Sequence, residues 1–233
     1  MKDWKLELGN ILFKYRSFTP LPLIVLFFII FRPVNLEGKN MVINLVGFLV
    51  SAAGEFIRVI AVGYAHTGTS GRERYLRAEA LNTAGIYSLV RNPLYMGNFL
   101  IFTGLVAVFA NIWAEMVFAV FLILQYYFII LCEEDFLRKQ YGKEYEDYCG
   151  RVRRVVPAIK NYEKSPNLFD IRKVIFKESD SVFNMLVMYL VVLGYKEKVF
   201  SGSIRDPFLF IIPGVVFVVS YIIVKIVKKK RKT

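Results

Sequence analysis

Two stretches of this 233-residue chain, Met41–Ala65 and Leu94–Leu131, stay apolar for longer than an ordinary soluble helix requires. A helix rises about 1.5 Å per residue, so crossing roughly 30 Å of hydrocarbon takes about 20 residues. Met41–Ala65 suits one crossing. Leu94–Leu131 is too long for one and just long enough for two, with Asn111, Trp113 and Glu115 marking an interfacial turn between Leu94–Asn111 and Ile112–Leu131. Pro207–Val227 is a further run of spanning length, and Phe18–Phe31 and Val182–Tyr195 are shorter runs that cross only if tilted or extended. Six spans are expected, four or five if the short runs are re-entrant. The expected fold is all-α: a polytopic transmembrane helix bundle with a helical hairpin and a cytosolic amphipathic helix.

The chain carries 31 Lys+Arg against 19 Asp+Glu, a net charge of +12 that would suggest nucleic acid if it lay on a folded basic face. The cations instead flank the apolar runs, so membrane lipids are the expected partner and nucleic acid is not. With both termini in the cytosol, inner segments hold twenty-four Lys and Arg and outer loops five, which fits the positive-inside rule. The tail Lys228–Lys232 reads most simply as an anchor to anionic lipid, at about 1 kcal/mol per residue, with a sorting signal or a nucleic-acid contact as alternatives. Cys132 and Cys149 are too few for a disulfide framework and read as free thiols. No small-residue cleavage site precedes Pro20, so the first apolar run is expected to be retained.

This topology puts His66–Pro93 and Cys132–Asp180 on one side of the membrane, where any chemistry is expected. Gly85 and Pro93 interrupt the first segment, which predicts an irregular entry to the hairpin with unpaired backbone N–H groups suited to a carboxylate. The alternative is that Pro93 merely opens a helix and Arg91 is an interfacial cation. In the second segment, Leu137, Tyr141, Tyr145, Tyr148 and Val152 recur at helical spacing, predicting an amphipathic helix at the membrane surface. Glu133 and Glu134 stand where an apolar helix leaves the membrane and can bind a ligand ammonium; as neighbours they point about 100° apart and need different partners. Glu55 and Arg58 share a face of the second span and form either an ion pair or a contact to a polar head group. Gly47, Ser51 and Gly54 on that span predict close helix contacts. The lone His66 is either a general base or a solvated loop residue.

Taken together, the two segments resemble the isoprenylcysteine carboxyl methyltransferase and phospholipid methyltransferase superfamily of integral-membrane enzymes. The family pattern is a G-x-Y, an R-H-P-x-Y, a hydrophobic hairpin, and an E-E-x-x-L-x-x-x-F-G-x-x-Y-x-x-Y ending in Pro. Gly85 and Tyr87, then Arg91, Asn92, Pro93 and Tyr95, then Glu133, Glu134, Leu137, Tyr141, Gly142, Tyr145, Tyr148 and Pro157 follow it in order.

The resemblance implies S-adenosylmethionine bound at the cytosolic end of the bundle, which fits the absence of a strand followed by a G-x-G-x-x-G turn. It assigns cofactor contacts to Glu79, Ala80, Leu81, Asn82, Tyr87, Asn92, Pro93, Leu94, Tyr95 and Glu133, with Arg72 as a further contact, and leaves Arg91, Glu134, Glu55 and Arg58 as catalytic candidates. No metal is expected, since the sulfonium itself activates the methyl group.

Two departures matter. Asn92 replaces the usual His and cannot exchange protons near neutral pH. Ile129 stands where prenylcysteine enzymes carry an Arg for the substrate carboxylate, which argues against a prenylcysteine acceptor. The implied activity is methyl transfer to a hydrophobic or lipid-like small acceptor entering laterally. An NADPH-dependent membrane reductase and a non-catalytic scaffold or transporter are the alternatives. The expected organisation is an N-terminal segment and first span at 1–40, a catalytic core at 41–159, a linker at 160–181, and two extra spans with a basic tail at 182–233. Those extra spans either cover the bundle or form a homodimer contact.

Overall fold

The computed structural model describes residues 3–16, 18–66, 68–69, 76–204 and 206–230. Its helices are α1 (Asp3–Tyr15), α2 (Pro20–Ile30), α3 (Asn40–Tyr64), α4 (Ile86–Leu89), α5 (Pro93–Ala107), α6 (Ile112–Tyr141), α7 (Lys143–Arg151), α8 (Ile171–Ser201) and α9 (Phe208–Lys230), with a 3₁₀ turn at Ile159–Asn161. No strand occurs among the described residues. The protein is a helical membrane bundle. Three helices, α3, α6 and α9, are apolar and long enough to cross by length and composition. The other expected spans differ: α2 has 11 residues and α5 has 15, or about 16 and 22 Å of rise.

The centre of the bundle is the antiparallel crossing of α3 and α5, and its geometry follows from four glycines. A Cβ on Gly54 would fall 2.5 Å from the Gly97 carbonyl oxygen, and one on Gly47 would fall 2.5 Å from that of Gly104. The two contacts lie seven residues apart on each helix, so the backbones touch along two turns where any side chain would hold them off. Between them Ser51, fully buried, donates to the Ile101 carbonyl at 2.7 Å. The contacts expected of Gly47, Ser51 and Gly54 are therefore present.

At the hairpin, the Asn111 side chain accepts from the amides of Trp113 (3.1 Å) and Ala114 (3.3 Å), capping α6 where the sequence places the turn. The helix then continues past the expected end of the span at Leu131 and carries Glu133 and Glu134 on the same rigid rod, as far as Tyr141. The amphipathic helix expected beyond it is broken. Gly142, at φ 53°, ends α6 and opens α7, a conformation that an L side chain rarely adopts. The tyrosine stripe consequently turns inward: Tyr145, Tyr148 and Val152 pack on Leu81 of the preceding loop.

A second difference concerns the C-terminal part. Asp170 caps α8 by accepting from the Lys173 amide at 2.9 Å, and no proline interrupts the following 31 residues. The expected linker thus gives way to helix at Ile171, and the apolar run Val182–Tyr195 is the middle of one long rod. Polar pairs join α8 to α3 along its length: Lys196 to Asn44 (2.9 Å), Tyr189 with Ser51 (3.0 Å), Ser181 to Glu55 (2.8 Å) and Arg58 to Glu178 (2.5 Å). In a low-dielectric bundle such pairs fix the register of two helices, because a slip would strand every member.

Candidate active site

The two motif segments meet because the chain after α7 runs back beneath the α4 region. The Arg91 amide donates to the Arg153 carbonyl (3.0 Å), that of Ala158 to Leu89 (3.0 Å), and that of Gly85 to Glu163 (2.7 Å). The Tyr148 hydroxyl donates to the Tyr87 carbonyl at 2.8 Å, and those of Tyr141 (3.0 Å) and Gln140 reach the Ala78 carbonyl, the latter through its amide nitrogen. The N–H groups of Gly85, Ser88, Val90 and Arg91 in the irregular entry to the hairpin are taken by the protein itself.

Above this floor opens a cavity of about 600 Å³, a size typical of small-molecule sites. Ala80, Leu81, Asn82, Tyr87, Asn92, Pro93, Leu94, Tyr95 and Glu133 line it, so residues far apart in sequence share one wall. Glu79 does not line it. Its half-exposed carboxylate pairs with Arg77 at 2.5 Å on the outer surface. Asn82 shapes the rim, accepting from the His66 amide (2.8 Å) and donating to Thr69 (2.9 Å). His66 enters through its backbone, and its side chain is not part of the lining. Arg72 lies outside the described residues.

The adjacent glutamates have different partners. Glu134, almost fully buried, is clamped by Arg154 through Nε (3.0 Å) and Nη2 (2.5 Å) and by Arg91 at 3.4 Å. Arg91 also donates to the Cys149 sulfur at 2.6 Å. Both cysteines are free thiols. Glu133 faces the cavity, with Tyr95 as its hydrogen-bonding neighbour and Arg16 as its nearby cation. Burial holds the Tyr87 phenol above its ordinary range, with the charge of Glu133 adding to the effect and that of Arg58 opposing it. The ring therefore stays neutral at any physiological pH.

Glu55 and Arg58 do not pair with each other. Arg58 donates to Glu178 (2.9 and 2.5 Å) and Asn98 (2.5 Å), while Glu55 accepts from Ser181 at 2.8 Å. Arg58 lines the cavity and Glu55 does not. The bundle offers each a closer partner on another helix than the one a turn away on its own. Ile129 is fully buried in the apolar core, so it offers a ligand neither a charge nor an exposed surface.

Several lining residues carry no signal in the sequence: Phe13 and Arg16 at the end of α1, Phe102 and Tyr126 in the hairpin, and Glu178, Ser181 and Asn184 on α8. None belongs to a local motif.

Comparison with known proteins bears on this arrangement directly. Residues 42–144, from α3 to the start of α7, match the phospholipid methyltransferase family. By sequence, this segment is similar to that family. Probable protein-S-isoprenylcysteine O-methyltransferases from Oryza sativa subsp. indica and subsp. japonica are each 32% identical to the chain over 120 residues, which cover 51% of this chain and 63% of theirs. The chain thus matches less than two thirds of those relatives' length. No solved structure gives a significant match. The matched segment supplies most of the wall, Tyr87, Asn92–Tyr95 and Glu133 included, whereas Phe13 of α1 and Glu178, Ser181 and Asn184 of α8 reach the cavity from outside it.

Proposed function

We propose that the protein is an integral-membrane methyltransferase that uses S-adenosylmethionine to methylate a hydrophobic, lipid-like acceptor. The observation that carries this reading is the convergence of Asn82, Tyr87, Tyr95 and Glu133 on one cavity between the inner loop and the membrane helices. The chemical character of the wall fits the cofactor: a carboxylate for an ammonium, an aromatic ring and apolar backbone for a nucleoside, and no requirement for a metal. Bound there, the sulfonium would supply an already activated methyl group, leaving the protein to position the acceptor and exclude water.

The residues divide this work. Glu133 binds the amino group, and Tyr95 orients its carboxylate. Glu134, fixed by Arg91 and Arg154, holds the two motif segments together and so positions the wall. Asn92 donates to the Arg154 carbonyl at 3.1 Å, a structural bond that involves no proton transfer. Arg58, Asn98 and Glu178 form a polar end within the helices, and Phe13, Phe102 and Tyr126 form an apolar flank suited to an acceptor arriving from the bilayer. With Ile129 in place of a cation, the reading favours an acceptor other than a prenylcysteine carboxylate. The cavity and both termini are assigned to the cytosolic side by the distribution of Lys and Arg.

Calorimetric titration of the detergent-solubilised protein with S-adenosylhomocysteine tests this. Saturable binding is expected, weakened by about 1.5–3 kcal/mol in Glu133→Gln. Folded wild-type protein that binds NADPH but no S-adenosylhomocysteine would overturn the reading.

A further inference from the structure

With 13 residues, α1 is too short to cross a bilayer: it rises about 20 Å against roughly 30 Å of hydrocarbon. It meets α6 at one level. The rings of Trp4 and Phe128 stand 6.0 Å apart, and a Cβ on Gly9 would run into the Phe128 carbonyl oxygen and lie 3.0 Å from the Cys132 Cβ. Trp4 and Gly9 are about 7.5 Å apart along α1 yet meet the same residue, so α1 lies across α6 rather than along it. Beyond Gly9, Phe13 and the following Arg16 line the cavity that Glu133 and Phe136 also line. This is the level at which α6 changes from apolar to charged, at Glu133 and Glu134.

At about 100° per residue, the exposed side of α1 divides into two strips. Glu7, Asn10 and Lys14 fall within about 60° of one another and are polar, while Trp4, Ile11 and Tyr15 fall within about 40° and are apolar or amphipathic. Gly9 and Phe13, both buried, occupy the side that packs on the bundle. About half of each of Trp4, Ile11 and Tyr15 is exposed, although no neighbouring helix covers them. Their chemistry fits the boundary between headgroups and acyl chains, where Trp and Tyr rings settle. Lys5 and Lys14 stand over the rings of Trp4 (5.6 Å) and Tyr15 (5.3 Å), which puts two ammonium groups where lipid phosphates lie.

We propose that α1 is an interfacial helix, with the strip Trp4, Ile11 and Tyr15 seated in the leaflet on the cavity side and the strip Glu7, Asn10 and Lys14 in water. Its third side carries Phe13 to the cavity, so one short helix joins the lipid surface to the wall of the site. α1 holds this place whatever ligand fills the cavity, and it lies outside residues 42–144.

The chain has two tryptophans, so Trp113→Phe leaves Trp4 as the sole reporter. The test is the fluorescence of this full-length variant in bilayers of phosphatidylcholine brominated either near the headgroup end or near the methyl end of an acyl chain. Bromine near the headgroup is expected to quench Trp4 more strongly than bromine near the chain end. Adding Ile11→Asp, which puts a charge in the seated strip, is expected to weaken that quenching, and adding Asn10→Asp, in the polar strip, to leave it unchanged. Stronger quenching by the deep bromines would mean that α1 dips into the hydrocarbon, and quenching by neither lipid would mean that water or a second copy of the chain covers the strip. Either result overturns the assignment, as does quenching that Ile11→Asp leaves unaltered.

Discussion

The α3–α5 crossing makes the most quantitative prediction. In Gly54→Ala the new Cβ would sit 2.5 Å from the Gly97 carbonyl oxygen and 2.9 Å from the Ile101 amide nitrogen, both backbone atoms that cannot rotate away. Restoring an ordinary contact of 3.4 Å means opening the crossing by about 0.9 Å, enough to forfeit a quarter to a half of each affected dispersion contact. Overpacking of this kind costs about 1–3 kcal/mol, offset by about 0.5–1 kcal/mol of helix preference gained over glycine, for a net loss of about 0.5–2 kcal/mol. Gly97 faces Gly54 across the same gap, its own Cβ falling 2.7 Å from the Gly54 carbonyl oxygen. One separation relieves both clashes, so Gly54→Ala/Gly97→Ala is expected to cost less than the sum of the single changes. Gly150 is the internal control: it lies in α7 with nothing within 4 Å of its Cβ position, so Gly150→Ala should be neutral or stabilising. Unfolding by SDS titration, followed by tryptophan fluorescence, reads all of these variants against wild type. Gly54→Ala as stable as wild type would refute the close-crossing argument.

Two further predictions use the same assay. Arg58→Met strands Glu178, whose side chain is 4% exposed, and should cost about 3–5 kcal/mol, while Arg58→Met/Glu178→Met should recover most of it; a double variant no more stable than the single would show that the pair is not the source. Burial holds the Tyr87 and Tyr148 phenols above their ordinary value of 10.0. Between that value and the folded-state values the native protein binds more protons than the unfolded chain, so this contribution to stability is complete below pH 10 and declines as pH rises beyond it. Tyr148→Phe should flatten that alkaline decline, and an unchanged slope would contradict the assignment.

How much of this was legible in the sequence depended on how local the cause was. Gly47, Ser51 and Gly54 announced a tight crossing because small residues at helical spacing give a membrane helix a flat face, and a flat face gains only from a neighbour that comes close. Asn111 announced the hairpin because a cap acts on amides two and three residues away. The cofactor wall was legible only through a pattern shared with a family, since nothing in periodicity ties Tyr87 to Glu133. Arg16 and Glu178 were invisible. One lies before the pattern and the other after it, and each reaches the cavity through a helix whose own sequence asks only for burial. The tyrosine stripe misled for a local reason: its spacing is helical throughout, and a single glycine at φ 53° turns it under the loop.

Arg58 and Glu178 are separated by 120 residues, which sets an order of events during synthesis. At about 5–20 residues per second, α3 precedes its partner by about 6–24 s. A lone charge in a membrane helix carries an insertion penalty of about 2.5–3.5 kcal/mol. In that interval, Glu55 one turn away is the nearest countercharge to Arg58, and the pairing absent from the finished bundle is the one open to the nascent helix. The emergence of α8 then exchanges a local partner for a distant one. The emergence of α8 thus releases α3 from a temporary arrangement, and the cavity gains Glu178, Ser181 and Asn184 only at that step.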